Sequence, residues 1–216
     1  MRSLIVMAMF VATLSNAAWN GYTESRDLAV SADGVDLFEI DAGAGEIVVN
    51  GVTDATEINV IATIRVDDDD DDARELIAKN LVLNLESKRS KAILNSYFDS
   101  KFWHNYNAAV DLEVRVPQGL EIFIDDGSGP VTVIGVASVA IDDGSGSIEI
   151  AGVTGDVMVD DGSGDISIRD VGGTVTIDDG SGSIDVKNVE QDLEIVDDGS
   201  GSVRIADVRG SVRHDD

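Results

Sequence analysis

The residues with most chemical potential in this chain are aspartates. Asp-Asp-Gly-Ser-Gly occurs five times, starting at Asp125, Asp142, Asp160, Asp178 and Asp197. The ten carboxylates are those of Asp125, Asp126, Asp142, Asp143, Asp160, Asp161, Asp178, Asp179, Asp197 and Asp198. They suit a hard cation such as calcium, which takes carboxylate and carbonyl oxygens of the kind that Asp-Gly turns supply. Both aspartates recur in every copy, whereas Thr132, Glu149, Ser167, Asp185 and Arg204 share another outward position. The competing reading is that these are turn formers with diffuse counter-ions. Calcium-binding nonapeptide rolls place Asp after their glycines, and here it comes before them. A second cation candidate is the run Asp67 to Asp72, read equally as a solvated loop that starts a helix.

Other chemistry is thinly supported. The two histidines, His104 and His214, are far apart, and no Ser-His-Asp spacing or metal-type His pair is evident. No Lys follows the Gly-Ser-Gly, which removes a phosphate loop. A β-helix enzyme acting on acidic polysaccharide is the weaker alternative, and the expectation is a non-enzymatic chain. The outward positions form no Thr ladder, which argues against an ice-binding face. Tyr97, Phe98, Phe102, Trp103 and Tyr106 gather most of the aromatics. They offer either a packed loop or a patch for a surface protein or glycan, since exposed aromatics make good contact anchors.

The copies start 17, 18, 18 and 19 residues apart. A period near 20 residues marks a solenoid, whose single coil cannot bury its apolar face alone. Ile148, Ile150, Val153, Val157 and Val159 of one coil are answered by Ile166, Ile168, Val171, Val175 and Ile177 of the next. Within each pair the apolar residues alternate with polar ones, the pattern of half-buried strands. The fold class is therefore all-β: a parallel β-solenoid with coils of about 18 residues. Stacked coils bring equivalent residues about 4.8 Å apart, so the aspartates form ladders too. The sequence reading sets all ten along one edge, which then needs water, raised pKa values or cations.

Residues 1–17 read as a signal peptide, with Arg2, an apolar run from Leu4 to Leu14, and Ser15-Asn16-Ala17 as the cleavage site. The mature chain is expected to be exported, whether periplasmic, outer-surface or secreted. Residues 18–37 read as a loose lead-in, with Trp19 and Tyr22 in local packing. Residues 38–120 hold a first coil over 38–66, then a short helix over Ala73–Asn80 and strands at Leu81–Glu86, Ala92–Tyr97 and Ala109–Val116. Residues 121–216 are the regular solenoid, ending mid-repeat, so the expectation is either a fragment or an end that packs against another molecule, as in end-to-end or edge self-association. The formal charge of −27 excludes nucleic acid as a direct partner and favours cations or basic surfaces. The chain has no cysteine and so does not rely on disulfides.

Three segments together resemble a known bacterial family. They are Phe38-Glu-Ile-Asp-Ala-Gly-Ala-Gly-Glu-Ile-Val-Val-Asn-Gly51, Val110-Asp-Leu-Glu-Val-Arg-Val-Pro-Gln-Gly119, and the Gly-Ser-Gly-x-Ile-x-Ile repeats. The family is one of exported β-strand-repeat proteins, candidate adhesins of unknown function. The resemblance spans nearly all of the mature chain. It implies a right-handed β-helix in a cell envelope of the Gram-negative type, and it carries over no binding residue.

Overall fold

The computed structural model of the protein describes residues 21–99 and 107–214. The expected signal peptide, Trp19, and the candidate residues Phe102, Trp103, His104 and Tyr106 lie outside them. The N-terminal part holds β1 (Tyr22–Ser31), β2 (Leu37–Ala44), β3 (Ile47–Val52), β4 (Glu57–Val66), α1 (Asp70–Asn80), β5 (Leu81–Lys88), β6 (Lys91–Phe98) and β7 (Ala108–Pro117). The repeat supplies β8 (Glu121–Ser128), β9 (Val131–Ile134), β10 (Ser138–Asp143), β11 (Ile148–Val153), β12 (Val157–Asp161) and β13 (Ile166–Val171). It continues with β14 (Val175–Asp179), β15 (Ile184–Val189), β16 (Leu193–Asp197), β17 (Val203–Val208) and β18 (Val212–His214).

Alternation decides the architecture. Each repeat contributes one strand to each of two nine-stranded sheets. One runs β1-β4-β7-β3-β9-β11-β13-β15-β17 and the other β18-β16-β14-β12-β10-β8-β2-β6-β5. From β8 onward every pairing is parallel and joins equivalent residues: Val157 lies between Val139 and Val175, and Ile166 between Ile148 and Ile184. The inward Ile and Val side chains of both sheets are buried in a single cluster that continues to Ile195, beyond which Val203, Ile205 and Val208 are half-buried and Val212 is exposed. Removal of this apolar surface from water is what drives the stacking, because one coil has nothing else to cover it.

The repeat length is not constant, and β16 shows one reason. Ile195 pairs with Ile177, but Asp197 pairs with Asp178, so Val196 is an extra residue at a bulge. Val196 accordingly points outward and is 44% exposed. This accounts for the longest interval between copies.

Two expectations for the N-terminal part are corrected. Residues 38–66 do not close a coil. After β3, a turn through Asp54, at a φ of 61°, sends the chain back as β4 in the same sheet, antiparallel to β7. Residues 18–37 are not a loose lead-in either, because β1 pairs with β4 along ten residues from Tyr22 to Ser31. The insertion therefore builds one end of the stack from antiparallel strands. β2 and β3 lie between that end and the repeat, pairing with β6 and β8 and with β7 and β9. The helix is capped by Asp69, whose side chain accepts the Asp72 N–H, and its first-turn acids Asp70, Asp71 and Asp72 suit the helix dipole.

Candidate functional site

The Asp-Asp pair ends each repeat strand of the β8 sheet, and consecutive strand residues face opposite ways. The pair is thus divided. Asp125, Asp142, Asp160 and Asp178 are exposed, whereas Asp126, Asp143, Asp161 and Asp179 are between 0% and 3% exposed. The expectation of ten carboxylates along one solvent edge is corrected: there are two columns, one outside and one inside. In the fifth copy the bulge leaves Asp197 exposed and Asp198 half-buried, with Asp198 Oδ2 3.3 Å from His214 Nε2.

The inner column is in register, with Asp143 beside Asp126 and Asp161, and Asp161 beside Asp179. Below Asp126 the same position is taken by Ala42 and then by Ser96, also buried. In each regular turn Oδ1 accepts the backbone N–H of the serine two residues on. The distances are 3.0 Å from Ser145 to Asp143, 3.0 Å from Ser163 to Asp161 and 2.9 Å from Ser181 to Asp179. The carboxyl therefore holds the Gly-Ser turn in place. Oδ2 of Asp143, Asp161 and Asp179 has no hydrogen-bond partner, nor has either oxygen of Asp126 in good geometry.

Burial is costly for the ionised form. It pushes the Asp126 carboxyl up to about 7, with the neighbouring Asp143 charge adding to the rise and the N–H groups of Ser128 and Gly127 opposing it. Asp161 is raised to about 6, again chiefly by burial, with Asp143 and Asp179 contributing. Asp143 and Asp179 are raised from the ordinary value for the same leading reason. Two ionised neighbours one strand apart repel by about 3 kcal/mol at an effective dielectric near 20.

The outer column runs Asp41, Asp125, Asp142, Asp160, Asp178, Asp197 in successive rungs. Its members stand about 4.8 Å apart, in water. A cation there meets one carboxylate from each copy rather than two, because the partner of each pair faces the core. Among the described residues, one group of three acids brings its ligand oxygens within 4.8 Å of one another: Asp68, Asp69 and Asp72, in the aspartate run. Their closeness follows from the helix cap, and the Asp72 carboxyl is raised above its ordinary value mainly by Asp69 and then Asp68.

Of the aromatic candidates, Tyr97 and Phe98 lie on β6 and are half-buried, with Phe98 packed against the core cluster. A different row escaped the sequence reading. Phe123, Ala140 and Met158 are adjacent rungs on the outer face of the β8 sheet, followed by Thr176. Phe123 is 37% and Met158 57% exposed. They line a shallow depression of about 460 Å³ bordered by Glu39, Glu121 and Asp156. The signal was present, since equivalent outward positions of neighbouring rungs hold Glu39, Thr176 and Glu194.

Three solved structures are similar to the chain at a distance. A candidate cell adhesion protein from Clostridium sporogenes is 10% identical, covers 89% of this chain and 99% of its own, and has a TM-score of 0.42. A candidate adhesin from Parabacteroides distasonis is 13% identical over 91% of this chain and 98% of its own, with a TM-score of 0.32. One from Bacteroides fragilis is 12% identical over 90% and 97%, with a TM-score of 0.35. Among curated proteins, none matches the chain. The family comparison is decisive, because residues 35–214, nearly all of the two-sheet stack, match a single family model. The chain belongs to the Toastrack DUF4097 family.

Proposed function

We propose that the protein is an exported, non-enzymatic, adhesin-like module that binds a partner surface through the outer face of its β8 sheet. The observation that carries this reading is the apolar row of Phe123, Ala140 and Met158. Phe123 and Met158, two rungs apart with the small Ala140 between them, border one depression and so make a contact patch rather than scattered exposure. The acids around it, with a net charge of −27 on the chain, fit a protein surface that is apolar at its centre and basic at its rim. Export rests on the leader-like residues 1–17, and no helix among the described residues is long and apolar enough to cross a membrane.

On this reading calcium, if the repeat takes it up, belongs to the outer column. Neighbouring carboxylates there are separated by about twice a calcium–oxygen distance.

Retention of beads coated with the mature chain, on arrays of extracellular proteins and glycans, tests the function. The Phe123→Ser/Met158→Ser variant is expected to lose at least about tenfold in retention on basic proteins, the scale of a contact hot spot. Retention should also fall with salt. Retention only on glycans, or undiminished binding by the variant, would contradict the proposal.

A further inference from the structure

The inner aspartates stand apart from the contact face and need their own explanation. Four carboxyls are stacked in adjacent rungs inside the solenoid. Each of Asp143, Asp161 and Asp179 commits Oδ1 to a turn N–H and leaves Oδ2 buried and unpartnered. An ionised oxygen in that position has neither water nor a donor, which is the costliest state for a carboxylate. A protonated one is neutral and gains a donor to offer its neighbour.

Among the described residues, no counter-charge adjoins the column. In the other sheet, the first residues of the repeat strands, Val131, Ile148, Ile166 and Ile184, are buried and apolar. Asp125, Asp142, Asp160 and Asp178 lie on the far side of the same strands and are acidic. Asp165 and Asp198 add negative charge near Asp179, and Asp198 is engaged with His214. No Lys or Arg is among the groups that shift the four carboxyls. A cation is a poor fit, because calcium needs six or more oxygens and the column offers two unpartnered ones at Asp126 and one at each of Asp143, Asp161 and Asp179.

We infer that Asp126, Asp143, Asp161 and Asp179 form a buried proton-binding column, which keeps protons at pH values where exposed aspartates have lost theirs and loosens the solenoid when it gives them up. The raised values of about 7 for Asp126 and about 6 for Asp161 agree with this. The direction follows from linkage. A carboxyl whose folded-state value lies above its unfolded one near 3.8 stabilises the fold fully below that lower value. The contribution is then lost as pH rises through about 6 and about 7. The chain should therefore be more stable at mildly acidic than at alkaline pH.

The test combines carboxyl-carbon NMR titration of the mature protein with thermal unfolding at pH 5 and pH 8, in chelator and in calcium. The expected result is titration of Asp126 at about 7 and of Asp161 at about 6, with Asp143 and Asp179 above the ordinary value, and a melting midpoint lower at pH 8 by about 5 °C or more. Replacing the four inner residues by Asn, whose amide supplies a permanent donor, should abolish most of that fall. Replacing Asp125, Asp142, Asp160 and Asp178 by Asn should leave it. If the fourfold inner variant does not fold, Asp161→Asn alone should reduce the fall, and the wild-type titration needs no variant. Inner carboxyls that all titrate near 4 would overturn the inference. So would a calcium-dependent rise at pH 8 that disappears in an inner variant, since a metal ion would then neutralise the column.

Discussion

Gly182 shows how closely the corners of this solenoid are stacked. It sits at a φ of 158°, and a Cβ placed on it would come within 1.6 Å of the Gly164 carbonyl oxygen one coil below. That neighbour is backbone and cannot swing away. Gly182→Ala is expected to cost about 3 kcal/mol, from overpacking and strain together, measured by denaturant unfolding. A cost below about 1 kcal/mol would mean that the corners are looser than described. A second corner runs through Gly135, Gly152, Asp170, Asn188 and Asp207, all at φ between 57° and 73°. Only Gly, Asn and Asp fill it, the residues that tolerate a left-handed backbone best. The same scale explains what could be read of the site in advance. The Asp pairs are visible at once, but the turn motif, treated as a unit, sets them along one edge. Carrying the alternation on from Val159 assigns Asp160 outward and Asp161 inward, as their exposures confirm. Strand periodicity did not stop where the turn motif began.

At the scale of elements, the regular coils were legible because every copy repeats the same inward positions. Ile150, Ile168 and Val186 pair in neighbouring rungs and are all buried. Ile168→Ala is expected to destabilise by about 3 kcal/mol, read as a lowered denaturant midpoint with an unchanged slope. A slope that drops as well would show coils melting separately, which nearest-neighbour coupling in repeat proteins allows. The insertion was less legible. Its helix and the strands β5, β6 and β7 followed from local patterns, and Leu81–Lys88, Lys91–Phe98 and Ala108–Pro117 match them within two residues. Glu57–Val66 falls inside the coil expected over 38–66 because a buried strand alternates in the same way whether it runs parallel or antiparallel. Only the partner, β7, decides which, and a partner as distant in sequence as Val114 is from Val60 leaves no local mark. The polar composition of β1 hid a strand for a related reason. An edge strand can remain half exposed, as the Tyr22–Ser31 pattern does, and then lacks a strong apolar signature.

For the whole molecule, one arrangement produces two different surfaces. Parallel stacking turns each residue of the repeat into a column, so any side chain's property is multiplied along the stack. Outward, this yields a row of carboxylates and an apolar row across β8, β10 and β12. Inward, it yields a dry carboxyl column beside an aliphatic core. Exposed ion pairs such as Arg169–Glu149 at 2.6 Å and Arg213–Glu194 at 3.0 Å link neighbouring rungs but add little stability in water. The division of each Asp pair between the two sides is the claim on which the rest depends. Carbodiimide coupling of an amine to the native protein, with modified sites located by mass spectrometry, tests it most directly. The prediction is rapid modification of Asp125, Asp142, Asp160 and Asp178, with Asp126, Asp143, Asp161 and Asp179 protected until the chain is unfolded. Equal modification of both members of each pair in the folded protein would contradict it.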